Sequence, residues 1–211
     1  MKAFPKTAND AIQSADALWR EALDALDSED RNAIEALNAV LLPLLDTHAA
    51  LLSEIDFNDF GGSVHEKPHA LRVLIFALLI GGLESLEKAD LTRLSLAAVF
   101  HDSRREDDDL DTGHGMRASL HYAAWAEAQG LSPEPLVRHA LAFHDLPDML
   151  GCGIAVEPKM RLLTQIFKDA DALDRYRFGP DGLDPSYLRR PAAKRLMRAA
   201  RRLNGLPSAE R

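Results

Sequence analysis

Cysteine is almost absent. Cys152 is alone among 211 residues, which excludes an intrachain disulfide and any zinc cage built on thiolates, and points to a reducing cytoplasm. Aromatic residues make up only 6%, and alanine and leucine dominate. With no alternating pattern that reads as a β-hairpin, the chain is expected to be all-α. Positive charge is also short, 25 Lys and Arg against 33 Asp and Glu for a net charge of -8. That argues against bulk nucleic acid held by overall charge and for a small ligand, although local basic clusters can still bind phosphate. The densest apolar run, Leu71 to Leu83, is shorter than a membrane span, and no apolar segment of signal length follows Met1-Lys2-Ala3-Phe4-Pro5. The expectation is a soluble protein with no membrane partner.

The length suits one domain with a proper core. Within it the sequence falls into N-terminal helices over 1–60, a central region over 61–180 and a basic helical segment over 181–211. Apolar residues recur with a helical period from Asp10 to Leu26. A second helix is expected to start at Ser28 as its N-cap, with Glu29 and Asp30 in its first turn, and to run to Ile55 with a kink at Pro43. Residues 56–63 read as a loop. A strongly apolar helix follows to about Ile80, stopped by Gly81-Gly82, then a helix ending at His101. The acidic stretch from Ser103 to Gly113 reads as a solvated loop. Helices are expected over His114 to Ala128, over Pro133 to Phe143 from a Ser132 cap, and over Met160 to about Arg175, with irregular chain over 146–158. A basic segment from Tyr187 to Arg202 completes the chain.

All histidines except His48 lie between His65 and His144. A single histidine on an apolar helix is usually a core residue bonded to backbone. Here His69, His101, Asp102 and Asp171 stand at separate helix ends, each beside an apolar stretch able to draw it inward. Imidazole and carboxylate together suit a divalent transition metal such as Mn, Fe, Co, Ni or Zn better than magnesium, which prefers oxygen.

The order of these residues resembles the HD superfamily of metal-dependent phosphohydrolases over roughly Val64 to Tyr176. The elements are His69 in His-x-x-Arg-Val, His101-Asp102, His114 before glycine, His144, and Asp171 in Asp-Ala-Asp-Ala-Leu-Asp. The resemblance implies a helical HD-type bundle. It implies a first metal held by His69, His101, Asp102 and Asp171, with Asp169 as the runner-up for the last ligand. It also implies a second metal on His114 and His144, bridged by Asp102, for which His121 and His139 are substitutes. His65, one turn from His69, is either a supporting or substrate contact or a helix cap.

The implied reaction is attack of metal-activated water on a phosphoester, with a small phosphorylated, nucleotide-like substrate. Asp102, Arg105 and Lys168 are its candidate catalytic groups, and Arg104, Arg175 and Arg177 further candidates for phosphate. A surface ion pair is the ordinary alternative for Arg177 and for one of Arg104 and Arg105. Members that act on deoxynucleoside monophosphates carry glutamate where this chain has Arg105, and no Gly-Tyr-Pro follows His144 as in cyclic-dinucleotide phosphodiesterases. The nearer likeness is to small stand-alone members. Two other readings stand beside hydrolysis: an HD-type di-iron oxygenase, and a non-catalytic nucleotide-binding module. The N-terminal helices could serve as packing, a lid or a homodimer surface.

Overall fold

A computed structural model of the chain describes residues 5, 7–58, 66–108, 110–154 and 156–207. Among these there is no strand. The helices are α1 (Ala8–Asp24), α2 (Ser28–Glu35), α3 (Asn38–Glu54), α4 (Lys67–Leu83), α5 (Lys88–Phe100), α6 (His114–Ala128), α7 (Pro135–Phe143), α8 (Asp148–Gly151), α9 (Pro158–Leu173), α10 (Pro191–Arg195) and α11 (Met197–Leu203). Short 3-10 turns cover Asp174–Phe178 and Pro185–Tyr187. His65 and Asp109 lie outside the described residues, so the reading of His65 has no structural counterpart.

The bundle is organised around α4. From Val73 to Gly82 every residue is buried, the state of a helix that is apolar on all sides. Helices α3, α5 and α9 pack along it, with α1 and α2 at its C-terminal half and α6 and α7 beyond α5. One continuous apolar core runs from Ala15 to Leu203 and joins all three parts of the sequence. No single described helix is long and apolar enough to cross a membrane.

Several boundaries differ from the sequence reading. Asp27, not Ser28, caps α2, its carboxylate accepting from Asp30 N at 2.9 Å. The helical path turns by 77° between α2 and α3, six or seven residues before Pro43, which sits inside a continuous α3. Gly81 and Gly82 do not stop α4. A Cβ at Gly81 would stand 2.6 Å from Leu91 Cδ2, and one at Gly82 2.8 Å from Ile34 Cδ1, so the pair lets α5 and α2 press against the helix backbone. Helix α7 begins at Glu134 and Pro135 rather than at Ser132, a proline being favoured at the first helical position in either register.

The basic C-terminal segment is neutralised in part within the fold. Arg195 reaches Asp30 at 2.9 Å, Arg190 pairs with Glu84, and Arg189 bonds both Asp148 and Asp169. Those pairs draw α10 and α11 back across α1, α4 and α9.

Candidate metal centre

Five helices bring their ends to one place. Helices α5, α7 and α9 arrive with their C-termini, carrying His101-Asp102, His144 and Asp171. Helices α4 and α6 begin there with His69 and His114. The last carbonyls of a helix lack intrahelical donors and carry partial negative charge, so three C-termini together favour a cation.

Those same carbonyls fix the imidazoles. His101 Nδ1 donates to Ala98 O at 2.8 Å, and His144 Nδ1 donates to Leu141 O at 2.7 Å, each three residues back on its own helix. His114 Nδ1 donates to Asp111 O at 2.6 Å, and His69 Nδ1 donates to Asp174 Oδ2 at 2.7 Å. A carbonyl or carboxylate oxygen can only accept, so each Nδ1 carries hydrogen, and a ring in its neutral form then presents a bare Nε2 lone pair. At His144 burial is outweighed by Asp102, which raises the pKa and favours a proton on that Nε2 when no ion is bound. Those lone pairs face one another: His69 Nε2 and His101 Nε2 are 3.0 Å apart, His114 Nε2 and His144 Nε2 2.9 Å. Opposed lone pairs at that distance repel unless a cation or a proton lies between them.

The atoms form two groups, His69 with His101 and Asp171, and His114 with His144 and Asp102, each with its ligand atoms within 4.8 Å of one another. In the first, His69 Nε2 is 3.2 Å from Asp171 Oδ1. In the second, His114 Nε2 is 3.2 Å from Asp102 Oδ1. Ligands roughly 2.1 Å from one ion stand about 3.0–3.4 Å apart at octahedral or tetrahedral angles. Two of the three spacings in each group meet or nearly meet that range, while His101 to Asp171 at 4.0 Å and His144 to Asp102 at 3.9 Å are wider. Asp102 faces both: its Oδ2 is 3.5 Å from the Nε2 of His69 and of His101, while Oδ1 serves the second group. These His and Asp side chains, all buried except the half-buried Asp171, can therefore hold metal ions.

The electrostatics agree. Burial alone would raise Asp102, yet the surrounding imidazoles outweigh it and hold the carboxyl well below its ordinary range. Asp171 is lowered in the same way, with His69 the strongest opponent of burial. Burial pushes His101 down to about 4 despite Asp102, so near neutral pH it is an uncharged ligand.

The other candidates divide. Asp169 is fully buried on the far side of α9, accepting from Arg189 N, Arg190 N and Arg189 Nη1, and belongs to the packing of the C-terminal segment. His121 accepts from Arg104 Nη2 and meets Ser103 Oγ, and His139 donates to Gly151 O, so neither substitutes in the metal groups. Arg104 is taken up by the Asp56 and Ser103 carbonyls as well as His121. Lys168 donates to Leu146 O at 2.5 Å and pairs with Asp148 at 2.7 Å, beside the groups rather than in them.

Arg105 is buried with Nη1 3.8 Å from Asp102 Oδ1. The surface-pair reading of Arg177 fails, because its side chain is only 10% exposed and its Nε and Nη1 are buried without a hydrogen-bond partner. The loop before α6 is not wholly solvated either: Asp111 is buried, paired to Arg117 and accepting from Glu106 N.

Three contributors escaped the sequence reading. Asp174 bonds His69 and takes Arg72 through two bonds of 2.6 and 2.9 Å. Its burial would raise its pKa, but His69 and Arg72 hold it at about 2. Asp145 accepts from Gly113 N at 2.6 Å through Oδ2 and leaves Oδ1 buried without a partner at the edge of the cavity. The repeated phrase Phe-His-Asp, at 100–102 and 143–145, is the signal that would have found it. Gly115 is the third, placed where α6 crosses the end of α7. A Cβ there would stand 2.6 Å from Asp145 Oδ1 and 2.9 Å from His144 Nδ1, and would strike Leu141 O. Gly115→Ala is therefore expected to cost about 1–3 kcal/mol by overpacking and to part His114 from His144. Urea unfolding reads the first effect. Metal titration reads the second, as loss of one ion with the His69 group still filled.

Over the centre lies a cavity of about 310 Å³, with Asp102, His114, His144, Asp171, Arg105 and Arg177 in its wall. A second, of about 530 Å³, adjoins it and shares His144, Asp171 and Arg175. Comparison of the chain with protein-family models, with curated proteins and with solved structures finds no match.

Proposed function

We propose that the chain is a metal-dependent phosphohydrolase of the HD type, cleaving a small phosphoester with a nucleotide-like body. The observation that carries the reading is the double set of opposed Nε2 lone pairs, with one carboxylate, Asp102, turned to both. A buried cation beside it supplies the second support, since an anionic substrate would give the Arg177 guanidinium the hydrogen-bond partner that its Nε and Nη1 lack. A mixed imidazole and carboxylate donor set suits Mn, Fe, Co, Ni or Zn. Such ions, when bound, would acidify a water near neutral pH and neutralise phosphoryl oxygen.

The chain's own residues do the rest. His69, His101 and Asp171 hold one position, His114 and His144 the other, and Asp102 joins them. The hydrogen bonds at each Nδ1 keep the four rings aimed, so little reorganisation is left for the reaction. Arg105 stands beside the second position, within reach of an oxygen on a substrate seated there. Lys168, held by Leu146 O and Asp148, secures the chain before α8 against α9 and acts by positioning.

Elemental analysis of protein purified without added metal, followed by a panel of phosphoesters, tests the reading. The expected result is a transition metal bound at both positions and turnover that chelation removes and the same metal restores. Retention of no transition metal together with no turnover across the panel would sink it. The paired arrangement also meets the requirement of a di-iron oxygenase, which would show as iron alone at both positions and no phosphoester turnover.

A further inference from the structure

Arg177 is a buried cation set beside groups suited to hold cations. Its side chain is nine-tenths buried, its Nε and Nη1 have no hydrogen-bond partner, and its Cζ lies 4.2 Å from the centre of the Phe178 ring. The nearest carboxylate, Asp174, stands 3.7 Å away and is already engaged by His69, Arg72 and Asn204. The Phe178 stack and the short link from Asp174 fix the guanidinium in the cavity wall. Arg105 approaches the same cavity from the loop between α5 and α6, on the side of His114. Two divalent ions would leave a positive surplus over Asp102, Asp171 and Asp145, and Arg177 adds to it, while Arg105 is answered in part by Asp102. An anion of more than one charge balances such a site better than one of a single charge.

The shape narrows the anion. A group seated in this cavity and bonded by both guanidinium groups in its wall needs an oxygen for each of them besides those turned to the metals. A terminal phosphate has three free oxygens and two negative charges near neutral pH, whereas a diester has two free oxygens and one charge. A diester must also place two organic arms. The cavity over the centre is the smaller of the two, and the larger one adjoins it along His144, Asp171 and Arg175, lined further out by Leu183, Tyr187 and Arg189. That space takes one arm.

We infer that Arg177 and Arg105 form an anion clamp that selects a terminal phosphomonoester over a phosphodiester, with the organic arm lying along Arg175 and Tyr187. The inference rests on the metal-centre reading and specifies its substrate class.

The test titrates metal-loaded protein with inorganic phosphate, as the terminal group, and with dimethyl phosphate, as the diester, by calorimetry. Wild type should bind phosphate at least about 30-fold more tightly. Arg177→Met keeps the packed stem and removes the donors, and is expected to weaken phosphate by about 10- to 100-fold, the range of a charge-assisted hydrogen bond. It should change dimethyl phosphate less than about threefold and leave metal content as it was, and Arg177→Lys should recover part of the loss. Equal binding of the two anions by wild type would overturn the clamp, and that comparison needs no variant. Undiminished phosphate binding by a folded Arg177→Met protein would overturn it too.

Turnover of p-nitrophenyl phosphate and bis(p-nitrophenyl) phosphate is read separately. Discrimination in binding without turnover of either supports the clamp and counts against the hydrolase. Turnover of the diester as fast as the monoester overturns the clamp and leaves hydrolysis standing.

Discussion

Asp102→Ala is expected to empty both metal positions at once, whereas His101→Ala should empty one. The difference follows from the two faces of one carboxylate, Oδ2 at 3.5 Å from His69 and His101 and Oδ1 at 3.2 Å from His114. Removing it deletes a ligand from each group and leaves the opposed lone pairs with less to offset them. Hydrolysis, on the proposed function, should fall below detection in the same variant. Helical content should stay near that of the wild type, because Asp102 follows the end of α5 rather than standing within it. Elemental analysis with far-ultraviolet circular dichroism gives both readouts. Full activity in metal-depleted Asp102→Ala protein would refute the proposed mechanism.

The largest effect on stability is expected at Asp174. It is fully buried and answers His69, Arg72 and Asn204 together. Asp174→Ala strands the Arg72 guanidinium, whose side chain is only 17% exposed, and should cost about 3–5 kcal/mol, the usual penalty for breaking a buried pair from one side. Asp174→Asn keeps the shape and separates the two roles. Most of the fold should survive, while metal affinity falls about 10- to 100-fold through loss of the charged acceptor behind His69, the single amide oxygen having to serve either His69 or Arg72. Urea unfolding and chelator competition distinguish the outcomes.

The same residue sets an acid limit. Its folded pKa of about 2 lies below the ordinary 3.8, so its contribution is complete above pH 4 and is lost as pH falls from there towards 2. The loss is about 2 kcal/mol, and Asp174→Asn should flatten that part of the stability curve.

The sequence placed the helices and most of the ligand candidates because each imidazole or carboxylate ends or begins an apolar helix, and such a pattern is local. His69, His101, Asp102, His114, His144 and Asp171 do converge. The choice between Asp169 and Asp171 was less open than the motif suggested: residues two apart on a helix point to nearly opposite faces, and Arg189 occupies one of them. What stayed hidden is what depends on approach across the chain. Nothing near Arg177 in sequence announces that Phe178 and the cavity wall bury it, and the double glycine looked like a helix end because it was the incoming Leu91 and Ile34 that required it. The bend between α2 and α3 falls where no proline or glycine stands, so the local signal at Pro43 pointed to the wrong residue.

His69 and Asp174 are 105 residues apart and touch, and an ion held between α4 and α9 would close a loop of similar length. Folding and metal loading are then a single linked equilibrium. Ions that bind the folded chain and not the unfolded one stabilise it by mass action, about 2.7 kcal/mol at a hundredfold excess over the dissociation constant. The melting temperature should therefore rise with free metal concentration. Metal supply would then set how much of the chain is folded and, on the proposed function, how much of it is active.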